Sequence, residues 1–165
     1  MLRGEEKDRA SFDNYEVKLN KVLIGVVKLK WEVDGYTINT DKSLVSVDRV
    51  KEFLSDSYWA SERSKELIEK TIMNSFCYGV YHEEKLVGFA RAVSDYSTMV
   101  WICDVYIDKK HRGKGLGKKL IACIIETPEF ENIRCSLVTR DAHELYEQFG
   151  FERVESRFMT RKPSG

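Results

Sequence analysis

Proline is scarce, with two in 165 residues, and there are no internal repeats or low-complexity tracts, so nothing in the chain reads as a linker between domains. The four cysteines, Cys77, Cys103, Cys123 and Cys135, sit among apolar neighbours, and no two stand at metal-ligand spacing. A secreted disulfide framework is conceivable from the count alone, but buried free thiols fit these surroundings better. His82, His111 and His143 are equally scattered, which leaves a zinc site without support; no metal is expected. No long apolar run exists either. The longest, Val22–Val27, is far too short to cross a bilayer. The stretch Met1–Asn20 is polar and of mixed charge rather than signal-like, so a cytoplasmic location and no membrane partner are expected. Charge of one sign is also missing: 27 basic side chains balance 27 acidic ones, and no global field argues for nucleic acid.

Against that background, 42% apolar residues are enough for one domain with a buried core. Residues 1–35 read as an N-terminal arm and 36–165 as the domain. The arm carries one strand pattern, Val27-Leu29-Trp31-Val33 alternating with charged residues, and Asp34-Gly35 before Tyr36 suits a tight hairpin. A single ordinary strand near 36–40 with an adaptable arm before it reads equally well. The arm is long enough to pair with a second chain as a homodimer.

Helices are expected after Ser46, and again after a capping-type start spanning Ser61–Ser64. Strands follow at Phe76–His82, Leu86–Val93 and Met99–Ile107, with turns at Glu83-Glu84 and Asp95-Tyr96-Ser97. A helix from Gly115 to Glu126 precedes a short strand at 133–138. A last helix, Ala142–Phe149, stops at Gly150, and Phe151–Val154 and Phe158–Thr160 read as closing strands. The fold class is α/β (α+β), with a central mixed β-sheet flanked by helices.

The segment with chemistry in it runs from Asp104 to Leu120: a strand, a basic turn with three glycines, then an amphipathic helix. Free N–H groups at a helix start, reinforced by the helix dipole, capture anions. Gly113, Gly115 and Gly117 let the backbone come close to a phosphate. Lys109, Lys110, Arg112, Lys114, Lys118 and Lys119 concentrate positive charge in a chain whose net charge is zero. A P-loop would need a hydroxyl where Lys119 stands, and a dinucleotide fingerprint would need glycine where Lys118 stands.

What remains, Arg112-x-x-Gly115-x-Gly117 between a strand and a helix, resembles the pyrophosphate-binding motif of the GNAT superfamily of N-acetyltransferases. Ala142-His-Glu-Leu-Tyr-Glu-Gln-Phe-Gly-Phe151 is similar to that family's late signature, and the resemblance covers about 36–161. It implies a GNAT-like fold and acetyl-CoA as cosubstrate. The pyrophosphate would be held by Arg112, Gly113, Lys114, Gly115, Leu116, Gly117 and Lys118, and the pantetheine arm by the backbone of Val105, Tyr106 and Ile107. Thr139 stands where the family often has Asn, which puts that cofactor contact in doubt. Tyr146 falls on the family's general acid, against the alternative of a packed helix tyrosine.

Asp104, the acid in the strand beside the expected thioester, is the first candidate base; strand alternation could equally turn it toward solvent or a neighbouring strand. Asp95, His143 or a water relay are weaker alternatives. Tyr58 and Trp59, in the connection between the first two helices, and Asp95 and Tyr96, at the strand turn, are candidate acceptor contacts, although each pair also reads as packing. The expected activity is acetyl transfer from acetyl-CoA to a primary amine of a small molecule or peptide. The alternatives are a catalytically idle CoA-binding or sensor module, and a nucleic-acid-binding domain using the 109–119 patch.

Overall fold

A computed structural model describes residues 28–155 and 158–161. The arm's hairpin is formed. Strands β1 (Lys30–Val33) and β2 (Tyr36–Asn39) pair antiparallel with Val33 opposite Tyr36. Asp34 and Gly35 both take positive φ, 48° and 80°, which matches the twist of a two-residue hairpin turn. The sheet therefore begins within residues 1–35, and the rest of that arm, 1–27, lies outside the described residues.

Helix α1 (Val47–Ser55) starts as expected, with Ser46 Oγ accepting from the Arg49 N–H at 3.3 Å. Helix α2 (Lys65–Met73) is capped by Ser64, whose hydroxyl accepts from the Leu67 N–H at 3.2 Å. It thus begins at the later end of the expected start, because Arg63 N–H closes a turn on Ala60 O first. Strands β3 (Phe76–His82), β4 (Lys85–Ser94) and β5 (Met99–Ile107) follow. Then come α3 (Leu116–Ile125), β6 (Arg134–Ser136) and α4 (His143–Glu147). The six strands lie in sequence order, antiparallel throughout except for the parallel pair β5–β6.

One core packs α1 and α2 on one sheet face through Val50, Phe53, Leu54, Ile68 and Phe89. The other packs α3 through Leu116, Leu120, Ile121 and Ile124 onto Tyr78, Ala90, Val100 and Ile102. Tyr78 Oη lies 2.6 Å from Thr127 Oγ1, whose own hydroxyl donates to Cys123 O at 2.8 Å, tying β3 to the end of α3. All four cysteines are free thiols, and burial pushes Cys77 up to about 12.

Helix α4 ends as its glycine suggests. Gly150 has φ +79°, Gly150 N–H bonds Glu147 O, and Phe151 N–H bonds Tyr146 O, the pairing of a Schellman cap. The two expected closing strands are not formed. Residues 151–154 and 158–160 pair with no strand among the described residues; instead Phe158 stacks on Trp101 with centroids 5.9 Å apart, and Arg153 pairs with Glu147. An alternating sequence needs a partner edge to become a strand.

Candidate active site

Two features of β5 create the site. Its parallel pairing with β6 covers only Met99–Trp101 against Arg134–Ser136, so beyond Trp101 that edge of the strand has no strand partner among the described residues. The second feature is a bulge. Arg91 pairs with Cys103 and Phe89 with Tyr106, leaving Ala90 opposite both Asp104 and Val105. Asp104 takes the extra position with φ +53°, a left-handed conformation that Asp tolerates better than most residues. The bulge reverses the parity of the strand. Val100 and Ile102 face the α3 core, whereas after the bulge the Tyr106 ring stacks on Phe53 of α1 at 5.2 Å. Val105 and Ile107 then turn toward α3.

Asp104 consequently faces the α1–α2 side, where its buried carboxylate accepts from three donors. These are Trp59 Nε1 at 3.1 Å, Arg63 Nη1 at 2.7 Å and Arg91 Nε at 2.6 Å. Arg91 also donates to Ser75 Oγ at 3.2 Å. Neither arginine was singled out from sequence. Nothing in the pattern around positions 63 and 91 betrays that a bulge will bring Asp104 to them.

The unpaired edge of β5 opens into a cavity of about 670 Å³. Val105, Tyr106 and Ile107 line one wall, and Arg112, Gly113, Gly115, Leu116, Gly117 and Lys118 another. Tyr58 and Trp59 close a third side with Asp56, facing Arg140 and Asp141. Gly113 and Gly115 have φ +77° and +74°, with open space where a Cβ would stand. Gly115 is the N-cap of α3 and provides no side-chain cap bond, so the first N–H groups of the helix are left for an incoming anion. Gly117 has no such conformational need; a Cβ there would meet only Leu145 Cδ2 at 3.9 Å.

The basic side chains around the loop are mostly engaged. Lys109 pairs with Asp56 at 2.9 Å and Lys119 pairs with Asp34. Arg112 donates to Ile107 O at 2.9 Å and lies over the Tyr106 ring. Lys114 does not line the cavity: its ammonium turns back to Tyr36 Oη at 2.8 Å. Lys118 lines the cavity and has no ion-pair partner among the described residues.

Tyr58 bridges the mouth. Its hydroxyl accepts from Arg140 N–H at 3.0 Å, and the Arg140 guanidinium sits 3.7 Å from its ring centroid. Asp56, Arg140 and Asp141 were missed from sequence; the last two directly precede the late signature and only the fold turns them inward.

Tyr146, expected at the cofactor, does not itself line the cavity: it follows the lining residue Leu145 and is buried in the α3-side core, edge-on to Phe151 at 5.7 Å. Burial, reinforced by Tyr58 and Asp141, pushes its hydroxyl up to about 12. Thr139 Oγ1 accepts from Ala142 N–H at 3.1 Å, steadying the start of α4 rather than lining the cavity.

Asp95 and Tyr96 lie away from the cavity, at the opposite end of β5, and this corrects their expected place at the site. The Asp95 carboxylate accepts from the N–H groups of Ser97, Thr98 and Met99 and from the Thr98 hydroxyl. Those bonds, Thr98 first, hold it well below the usual carboxylate range. Tyr96 stacks on Phe130 at 6.0 Å. The turn consumes both.

An unpaired β5 edge beside an uncapped, glycine-bounded helix start lies where the sequence resemblance expects the pantetheine arm and the pyrophosphate. A model of the Acetyltransferase (GNAT) family matches residues 43–151. The chain belongs to the GNAT acetyltransferase family. It is accordingly an acyltransferase. A solved GNAT-family structure from Xanthomonas campestris pv. campestris is 32% identical, with a TM-score of 0.76 over 80% of this chain and 96% of its own. The spermine/spermidine N(1)-acetyltransferase of Bacillus subtilis is 34% identical over 87 residues, 45% of this chain and 57% of that protein. A GNAT structure from Elizabethkingia anophelis with acetyl-CoA bound shares the fold at 17% identity, with a TM-score of 0.59 over 74% of this chain and 80% of its own.

Proposed function

We propose that this GNAT acyltransferase moves an acetyl group from acetyl-CoA directly to a primary amine. The observation that carries the reading is the open start of α3: Gly115 in a left-handed conformation, no side-chain cap, and free space above it in the cavity. A diphosphate fits there. Gly113 and Gly115 leave that space free of side chains, and Lys118 adds charge. The pantetheine arm, with its amides, suits the unpaired edge Val105–Ile107 as an added strand.

Acetyl-CoA supplies an acyl group activated as a thioester. In the transfer a C–N bond forms as the C–S bond breaks, the amine loses a proton, and the departing sulfur takes one up. Tyr146 is the proposed proton donor to that sulfur. A hydroxyl pushed up to about 12 stays protonated at neutral pH and so has a proton to give. Asp104 is proposed as a positioning residue in place of a base. Its oxygens already accept three bonds, from Trp59, Arg63 and Arg91, so the carboxylate is engaged in holding these side chains in place. The amine's proton is then passed to solvent through water at the cavity mouth.

Acetyl-CoA should raise the melting temperature of the protein and release thiol in the presence of an amine acceptor. Gly115→Glu, which sets a carboxylate against the helix start, should abolish both effects. A thermal shift without thiol release across an amine panel would instead mark an idle CoA-binding module. No shift, and no effect of Gly115→Glu, would remove the reading.

A further inference from the structure

The Asp104 cluster holds one carboxylate against two guanidiniums. We infer that the acceptor amine carries an anionic group, carboxylate or phosphate, which pairs with Arg63 beside the acyl-transfer point. This rests on the acetyl-transfer reading above and names its substrate class.

The cluster occupies the sheet face opposite α3, directly behind the cavity wall formed by Trp59 and Val105. Asp104 is the residue before Val105, and its partner Trp59 lines the cavity. With the glycine loop and β5 edge taken by CoA, the amine has to arrive from this other face. The two arginines are not equivalent there. Arg91 is nine-tenths buried and divides its nitrogens between Asp104 and Ser75. Arg63 keeps 25% of its side chain exposed and makes one side-chain bond, through Nη1 to Asp104. Its Nε and second terminal nitrogen have no partner among the described residues, and together they form a fork suited to a carboxylate or phosphate.

Charge argues the same way. Burying two guanidiniums with a single carboxylate leaves positive potential in a poorly solvated site, and a second anion would neutralise it. An acceptor bearing further ammonium groups would meet like charge there. The preference is thus the reverse of that in the name of the Bacillus subtilis relative. Trp59, held by its bond to Asp104 and 40% exposed, gives the same place an apolar wall.

The test compares kcat/KM for matched acceptors: an α-amino acid, its amide, O-phosphoethanolamine and spermidine. The inference expects the acid to exceed its amide by about tenfold or more, as for a hydrogen bond to a charged group, and spermidine to be poorest. The phosphate compound against the amino acid tells the two anion types apart. Arg63→Gln should bring the acid-to-amide ratio toward one through KM, and Arg63→Lys should restore part of it. An amide or spermidine that matches the acid in the wild-type protein overturns the inference, whatever Arg63→Gln does to folding. So does a full acetyl-CoA thermal shift with no anionic amine acetylated. Both outcomes leave CoA binding standing, whereas loss of the thermal shift itself would strike the underlying reading.

Discussion

The role proposed for Tyr146 rests on its place in the late signature, one residue after the cavity-lining Leu145. Burial with Phe151 keeps the Tyr146 hydroxyl neutral far into the alkaline range. Tyr146→Phe should lower kcat by roughly 10²-fold or more with little change in acetyl-CoA affinity, read by thiol release and by titration of the donor. Because the raised value favours the protonated form, the wild-type kcat should show no alkaline decline between about pH 7 and about pH 10 from loss of this proton. A decline in that window, absent in Tyr146→Phe, would contradict the assignment. Asp104 behaves differently. Asp104→Asn keeps a side chain tolerant of φ +53° but leaves Arg63 and Arg91 without their shared carboxylate. Breaking such a buried pair typically costs about 3–5 kcal/mol, so thermal unfolding should move to lower temperature as kcat falls. Asp95→Ala, by contrast, should loosen the β4–β5 turn and leave acetylation within about twofold, since the carboxylate serves the N–H groups of its own turn.

At the scale of elements, the start of α3 separates two glycines that look alike in sequence. Gly115 sits at φ +74°, and Gly117 needs no special conformation. Gly115→Ala should cost roughly 1–2 kcal/mol of stability and weaken acetyl-CoA binding. Gly117→Ala should fold normally, with a methyl in ordinary contact with Leu145. Differential scanning and acetyl-CoA titration of the two variants check this. The Ser46 cap and the Gly150 stop were legible because each follows from residues within one turn, whereas the Asp34-Gly35 hairpin was one of two equal readings until the pairing of β1 with β2 decided it. The bulge in β5 was not legible. It depends on Arg63 and Arg91, distant in the chain, stabilising Asp104 on a face that simple alternation does not specify. Asp95 and Tyr96 read as site residues because only the fold shows that the cavity opens at the Val105–Ile107 end of β5, away from their turn.

Across the whole molecule, equal numbers of acidic and basic residues hide a local asymmetry between Lys109 and Lys119. Much of that charge is spent inside the protein, on Asp56, Asp34 and Tyr36, leaving Lys118 and the α3 dipole to attract the donor. Lys118→Ala should therefore raise the acetyl-CoA dissociation constant several-fold, by about half a decade to one decade, and wild-type affinity should fall with added salt. Equal binding of both proteins at every ionic strength would count against that role. What the sequence determined by itself was the order of the elements up to the Gly150 stop and the glycine-bounded turn that opens α3, because caps, glycines and hydrophobic period act over a few neighbouring residues. The tertiary structure decided which side chains meet around Asp104. Those contacts join β4, β5 and the α1–α2 connection, and a single inserted residue at Asp104 determines which face each of them presents.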